Sequence, residues 1–418
     1  MLLVTSALIL SVNGGPASPK VPERAAAPTP GTSRLSDELI IANNNDNLKY
    51  SPKVAYNSIH DEYLVVWENI QTGGAHDIYA RRVSSQGQLL NSFTVTTGSN
   101  SRMQPSVAYD PVNDRYLVAW IYDVNGVGSN WGVYGRFIPW NGPSDSLTEF
   151  AIYTGNSSQR HPQVAYARTQ KEFLVIWVND LAPTSIGGHR IPADGIIPPG
   201  DGFVISSEPD DRPALAYNLA RNEYLVTWEV NKAGTGFDIY AVRLRGDGLP
   251  TGGGEFAIAT HPEDDQLPAV AACHAADQYL VAWQWQVSGD DDVYGSLVSG
   301  NGIPGPNMRI DATTLPEQAA SVACDQSGTV YLVAWQTEHL TLNFGISARL
   351  VYPGGTMKPS IEVVDAGNIA NRTYPSVAGG QAQFLVVWEH QRDGTAYQDI
   401  RGRLVWPNVL FLPLVERH

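Results

Sequence analysis

The chain has 418 residues, 43% hydrophobic and 17% charged, with 19 Tyr, 11 Trp, 10 Phe, 39 Gly and 28 Pro. An apolar, aromatic and turn-rich composition of this kind excludes a disordered chain, a collagen-like repeat and a coiled coil, and points to β structure. Forty-two Asp and Glu against 27 Lys and Arg give a formal charge of −15, which argues against nucleic acid and anionic membrane as partners, since both require a basic surface.

Length alone suggests two or three domains at about 150 residues each. No apolar run approaches the ~18 residues of a membrane-spanning helix. Along the chain, residues 2–10 form a short apolar run, followed by small residues through Ala17 and Ser18. This is the form of a secretory leader without its usual basic start. A leader within residues 1–35 is expected, with a plain tail as the alternative, and an extracytoplasmic location (secreted or cell surface) follows from it. Residues 19–35, rich in Pro, Ala, Ser and Thr, read as a flexible spacer.

From there a repeat takes over. Its most regular element runs Tyr63–Trp67 (Tyr-Leu-Val-Val-Trp), then Tyr116–Trp120, Phe173–Trp177, Tyr224–Trp228, Tyr279–Trp283, Tyr331–Trp335 and Phe384–Trp388. Each run is apolar on both faces, as in a strand buried on both sides. A second element precedes each copy, as in Pro52-Lys-Val-Ala-Tyr56 and Pro105-Ser-Val-Ala-Tyr109, with alanine at 55, 108, 165, 216, 271, 323 and 378. A third follows, as in Asp77-Ile-Tyr-Ala80, with a small residue at Ala80, Gly135, Gly188, Ala241, Gly295, Ala348 and Gly402; small side chains there are expected to let adjacent sheets pack closely. A fourth alternates as a half-buried strand does, from Phe93/Val95 to Ile361/Val363. Its seventh copy, Leu39/Ile41, stands before the first repeat rather than after the last.

The period is 51 to 57 residues. Four strands per repeat at such a period, seven times over, predict an all-β, seven-bladed β-propeller with four antiparallel strands per blade. The displaced fourth strand predicts that the N-terminal segment completes the last blade and closes the ring, which removes two open sheet edges. One domain over residues 36–406, followed by a tail at 407–418, therefore replaces the estimate from length. The Pro-x-Val-Ala-Tyr, Tyr-Leu-Val-Val-Trp and Asp-Ile-Tyr-Ala elements resemble the sequence-repetitive propellers of secreted and surface bacterial proteins. The resemblance implies the fold over nearly the whole chain and leaves function open, because propellers host enzymes, lectins and scaffolds. The Trp-Asp signature, the Ser-x-Asp-x-Gly-x-Thr-Trp box and the Asp-x-Asp-x-Asp-Gly calcium loop of other propeller types are missing from the sequence.

Candidate site residues lie in the loops that such a fold collects on one face. Arg102, Arg160, Arg212 and Arg372, with Lys49, stand near the proline position, and Glu68, Glu229 and Glu389 follow the repeat tryptophan. Two readings stand side by side: a charged ring at the channel mouth that takes an anionic or polyhydroxylated ligand, or a repeated loop-tying salt bridge or hydrogen bond. Trp131 and Trp285, outside the repeat tryptophans, carry two readings: an exposed indole able to stack on a sugar, or, in preference, one packed on its own blade. Glu208, Asp210 and Asp211, then Glu263, Asp264 and Asp265, then Asp290, Asp291 and Asp292 concentrate acid around blades 4 and 5. They offer either a Ca²⁺ site, since hard cations take six to eight oxygens, or a solvated acidic rim. Cys273 and Cys324 fall on adjacent first strands at unequal positions; two buried free thiols are expected in preference to a disulfide.

No nucleophile elbow, metal-binding His-Glu-x-x-His helix or Cys-x-x-Cys pair occurs. The expected function is a monomeric, non-enzymatic binding module that recognises a glycan or a protein through its loop face. The alternative is a glycoside hydrolase or polysaccharide lyase with carboxylates in the central funnel.

Overall fold

The computed structural model describes residues 33–407, apart from 44–47, 72, 144–147, 156, 198–201, 209, 233, 235, 288, 312, 341–342, 366–370, 393–394 and 396. The expected leader, most of the spacer and all but the first residue of the tail lie outside the described residues. Seven antiparallel sheets follow one another around a ring, each with sequential strand order. In blade 1 the strands are Leu48–Asn57, Glu62–Ile70, His76–Ser84 and Leu89–Thr96, from the axis outward. Blade 7 takes three strands from the end of the chain, Arg372–Gly379, Phe384–Gln391 and Gln398–Trp406. Its fourth is Leu39–Ala42, with Leu39 opposite Gly402 and Ile40 opposite Arg401, and Arg34–Leu35 pairs beside it on the same third strand. The ring closes as the displaced repeat predicts.

The second strand shows why a ring is needed. In blade 1, Tyr63, Val65 and Trp67 pack into one cluster with blade 7, including Ile41, Leu385 and Val387. Leu64 and Val66, pointing the other way, pack into the next cluster with Tyr116, Val118 and Trp120 of blade 2. Alternation along a strand sends successive side chains to opposite faces, so each sheet divides its apolar residues between two neighbours. The core is seven inter-blade clusters.

The small third-strand column has a more local role than expected. Every outer strand carries a bulge, and its extra residue (Val95, Ile152, Ile310 and Ile41 among them) tucks inward. A Cβ on Gly295 would lie 2.6 Å from Ile310 Cδ1, and one on Gly402 would lie 3.0 Å from Ile41 Cδ1. The small residues thus make room for the bulge of their own blade. The carbonyl of the bulged residue is then latched by the next blade. Arg81 donates to Ile41 O at 2.5 Å, Arg136 to Val95 O at 2.6 Å and Arg403 to Val363 O at 2.6 Å.

Cys273 and Cys324 form a disulfide, with Cα atoms 5.5 Å apart, which corrects the expectation of free thiols. Their unequal columns are what allows the bond. Across a blade interface, the last position of one first strand meets the preceding position of the next. Asp110, in the column of Cys273, lies beside Tyr166, in the column of Cys324. The bond joins blades 5 and 6 across a contact that other interfaces make with tyrosine. Replacing both cysteines by alanine is expected to lower unfolding stability by about 2–4 kcal/mol. Denaturation with and without reductant checks this: reduced wild type should match the double variant, and equal midpoints for oxidised wild type and variant would refute it.

Candidate functional site

The first strand of every blade loses register once, just before its proline position, as between Tyr50 and Lys53 or Met103 and Ser106. The residue at that break is left-handed in all seven blades: Ser51, Gln104, His161, Arg212, Leu267, Ala319 and Tyr374, with φ between 51° and 54°. For residues with a Cβ this costs on the order of 1–2 kcal/mol each. All seven line a central cavity of about 810 Å³, together with the proline or alanine that follows each. The kink turns one side chain per blade toward the axis.

The glutamates after the repeat tryptophan hold these kinks. Glu389 accepts the Ser51 N–H at 2.8 Å, Glu68 that of Gln104 at 2.7 Å and Glu229 that of Leu267 at 2.7 Å. Gln336 does the same for Tyr374 at 3.0 Å. Blades 2 and 3 carry Ile121 and Val178 after the tryptophan, and a first-strand residue accepts instead: the Gln104 side chain of the preceding blade for the His161 N–H at 2.7 Å, and the adjacent Asp211 for that of Arg212 at 2.6 Å. The glutamate column therefore has the loop-tying geometry.

The basic residues do not form one ring. Lys49, Arg102 and Arg372 stand three residues before the proline position, Arg160 two before it and Arg212 immediately before it. Of these five, Arg212 alone, at the left-handed residue of the register break, lines the cavity. Arg102 is buried, donating to Thr96 Oγ1 at 2.9 Å with its guanidinium 4.7 Å from the Tyr122 ring centre. Arg160 bridges Asp180 and Asp211. Arg372 is half-buried and paired opposite His390 in the sheet.

Neither tryptophan is an open platform. Trp131 is half-buried and donates its indole N–H to Gly128 O at 3.1 Å within its own loop. Trp285 stacks on His261 at 3.8 Å and meets Tyr294 edge-on at 4.5 Å. The acidic residues of blades 4 and 5 are dispersed. Asp264 accepts the Phe237 N–H at 3.0 Å, Asp265 the Trp283 indole at 2.8 Å and Asp291 the Gln318 amide at 2.7 Å. Asp211 is paired with Arg160, Asp290 is half-buried at the start of its strand, and the side chain of Asp210 lies outside the described residues. Among the described residues, the one set of three metal-capable groups within 4.8 Å is Cys273, Cys324 and Asp325, whose sulfurs are bonded to each other. Among the described residues, the candidate Ca²⁺ ligands do not gather into one such set.

The cavity is electrostatically mixed. Burial, then the charges of Arg212, Arg160 and Lys53, push the His161 imidazole down to about 4, against the pull of Asp211. Burial lowers the Lys53 ammonium, against the charge of Glu389. Burial also raises the Glu229 carboxyl.

No protein-family description and no curated protein matches this chain. Solved structures do. The β-propeller domain of the trilobed protease from Pyrococcus furiosus aligns over 87% of this chain and 96% of its own, with 10% identity and a TM-score of 0.51. The α-L-arabinofuranosidase Arb93A from Fusarium graminearum, in complex with an iminosugar inhibitor, aligns over 75% of this chain and 99% of its own, with 10% identity and a TM-score of 0.53. Pyrococcus horikoshii acylaminoacyl peptidase aligns over 85% of this chain and 50% of its own, with 7% identity and a TM-score of 0.50. At these identities the likeness establishes the propeller fold alone. The P. furiosus domain has an open velcro topology, whereas here Leu39–Ala42 pairs with the last blade.

Glu389 provides a titration test of the kink. Burial, then the charge of Glu68, push its carboxyl up to about 7 from the ordinary 4.5. A carboxyl held above its unfolded value binds protons more tightly in the folded state. Its contribution is full below about 4.5 and is lost as pH rises through about 7. Glu389→Gln keeps an acceptor for the Ser51 N–H and removes the titration. It is expected to reduce the fall in stability between about pH 5 and about pH 8 by roughly 1–3 kcal/mol. Equal falls in wild type and variant, measured by denaturant unfolding, would refute the assignment.

Proposed function

We propose that the protein is an extracytoplasmic binding module that seats a glycan in its central funnel. One observation carries this reading: the seven left-handed positions share a backbone and differ in every side chain. Duplication copies structural roles from blade to blade, as it does for the alanine column and the tryptophans. A position whose conformation is copied and whose chemistry is not has been released from the repeat.

The chemistry presented suits a polyhydroxylated ligand with apolar faces. Ser51, Gln104, His161 and Arg212 offer hydrogen-bonding groups, and Leu267 and Tyr374 offer apolar surface. Tyr374 is 60% exposed and lines the cavity, so its ring is open to stack on a sugar. A largely preformed concave site with a few placed polar groups is the usual form of a small-ligand site. Glycoside hydrolysis needs two carboxyl groups poised at the scissile bond. The two glutamates that line the funnel, Glu68 and Glu389, are each engaged with a backbone N–H, which favours binding over catalysis.

An immobilised glycan panel tests the reading with wild type, Tyr374→Ala and Trp131→Ala. Wild type is expected to retain at least one glycan, Tyr374→Ala to lose about tenfold or more in affinity, and Trp131→Ala to bind as wild type does. Failure to bind any glycan, or unchanged binding by Tyr374→Ala, would overturn it. Release of new reducing ends from a bound glycan would replace binding by hydrolysis.

A further inference from the structure

Resting on the glycan reading, we infer that the funnel selects an anionic glycan, one whose sugar carries a carboxylate, with Arg212 and Lys53 as the cationic contacts. Most arginines of this acidic chain are committed elsewhere. Arg82 is paired with Glu62 at 2.7 Å, Arg221 with Asp277 at 2.6 Å and Arg243 with Glu223 at 2.7 Å. Among the described residues, Arg212 and Lys53 both line the central cavity and neither side chain is in an ion pair or hydrogen bond.

The two cations stand in blades 4 and 1, well separated around the ring, yet both act on His161 in blade 3. Their fields overlap in one volume on the axis. His161, held down at about 4 by burial and by these charges, stays neutral at physiological pH and adds a hydrogen-bonding group rather than a third charge. The acids that share the cavity oppose an anion weakly. Glu68 and Glu389 each accept a backbone N–H, which offsets part of their charge. Glu389, the acid that acts on Lys53, is pushed up to about 7 by burial and by Glu68. The Arg212 guanidinium and the Lys53 amine thus face carboxyls that are tied down or partly neutral. A planar guanidinium engages a carboxylate with two parallel bonds, and an ammonium adds a point charge. A ligand on the axis meets both.

Calorimetry with a uronic-acid oligosaccharide and its carboxyl-reduced neutral counterpart tests the inference. The acidic form is expected to bind wild type at least tenfold more tightly, with the difference shrinking at high salt. Arg212→Ala, at an exposed position outside the core, should lower the acidic-form affinity far more than the neutral one and so abolish most of that preference; Arg212→Lys should restore part of it. Lys53→Met should reduce the preference independently. Equal affinities for the two oligosaccharides, or a preference unchanged in Arg212→Ala, would overturn the anionic selection and leave the glycan reading standing. Binding of neither oligosaccharide, with capture of an acidic peptide instead, would overturn both.

Discussion

A sheet that is apolar on both faces cannot bury itself. Every blade here has such a sheet, because the second strand sends Tyr63, Val65 and Trp67 to one side and Leu64 and Val66 to the other. No blade has a core until it has two neighbours, and the chain has two ends. The ring is the arrangement that leaves no blade at an end, and it explains why the strand Leu39–Ala42, which precedes blade 1 in sequence, is spent on the last blade. The latch from Arg81 to the Ile41 carbonyl secures the same seam from the other side. Stability is therefore spread over seven equivalent interfaces, and the disulfide between Cys273 and Cys324 reinforces one of them covalently.

Closure brings seven first strands together at the axis. They relieve the crowding by breaking register at one residue, and that residue adopts a left-handed conformation. The conformation is unfavourable for residues with a Cβ, and a side-chain acceptor on its N–H offsets the cost in six blades. The acceptor varies, from Glu389 to the Gln104 side chain, but the geometry does not. A strained, well-supported backbone frees the side chain to face the cavity. The kink that closes the axis is also what builds the funnel.

The same accounting explains the dispersed acids. Asp264, Asp265 and Asp291 each satisfy a strand donor, the backbone amide of Phe237, the indole of Trp283 and the side-chain amide of Gln318 respectively. Carboxylates spent one by one in this way do not converge on an ion. Arg212 and Lys53, by contrast, line the funnel of a chain whose formal charge is −15.

The sequence by itself determined the seven blades, the strand order within them and the closing strand, because each follows from a side-chain pattern that repeats. It also held the two readings of Glu68, Glu229 and Glu389, and register decided between them by placing each acid against the next blade's kink. The funnel ring was hidden, since Ser51, Gln104, His161, Arg212, Leu267, Ala319 and Tyr374 share no residue type; the proline column beside them was its one trace. Direction along a strand and contact across an interface are tertiary quantities. Position relative to the register break kept Arg102 and Arg160 from the cavity and put Arg212, the left-handed residue itself, into it. A stagger between neighbouring strands joined two cysteines that column matching kept apart. Repetition fixes what every blade must do, and only closure of the ring decides which side chains meet at its centre.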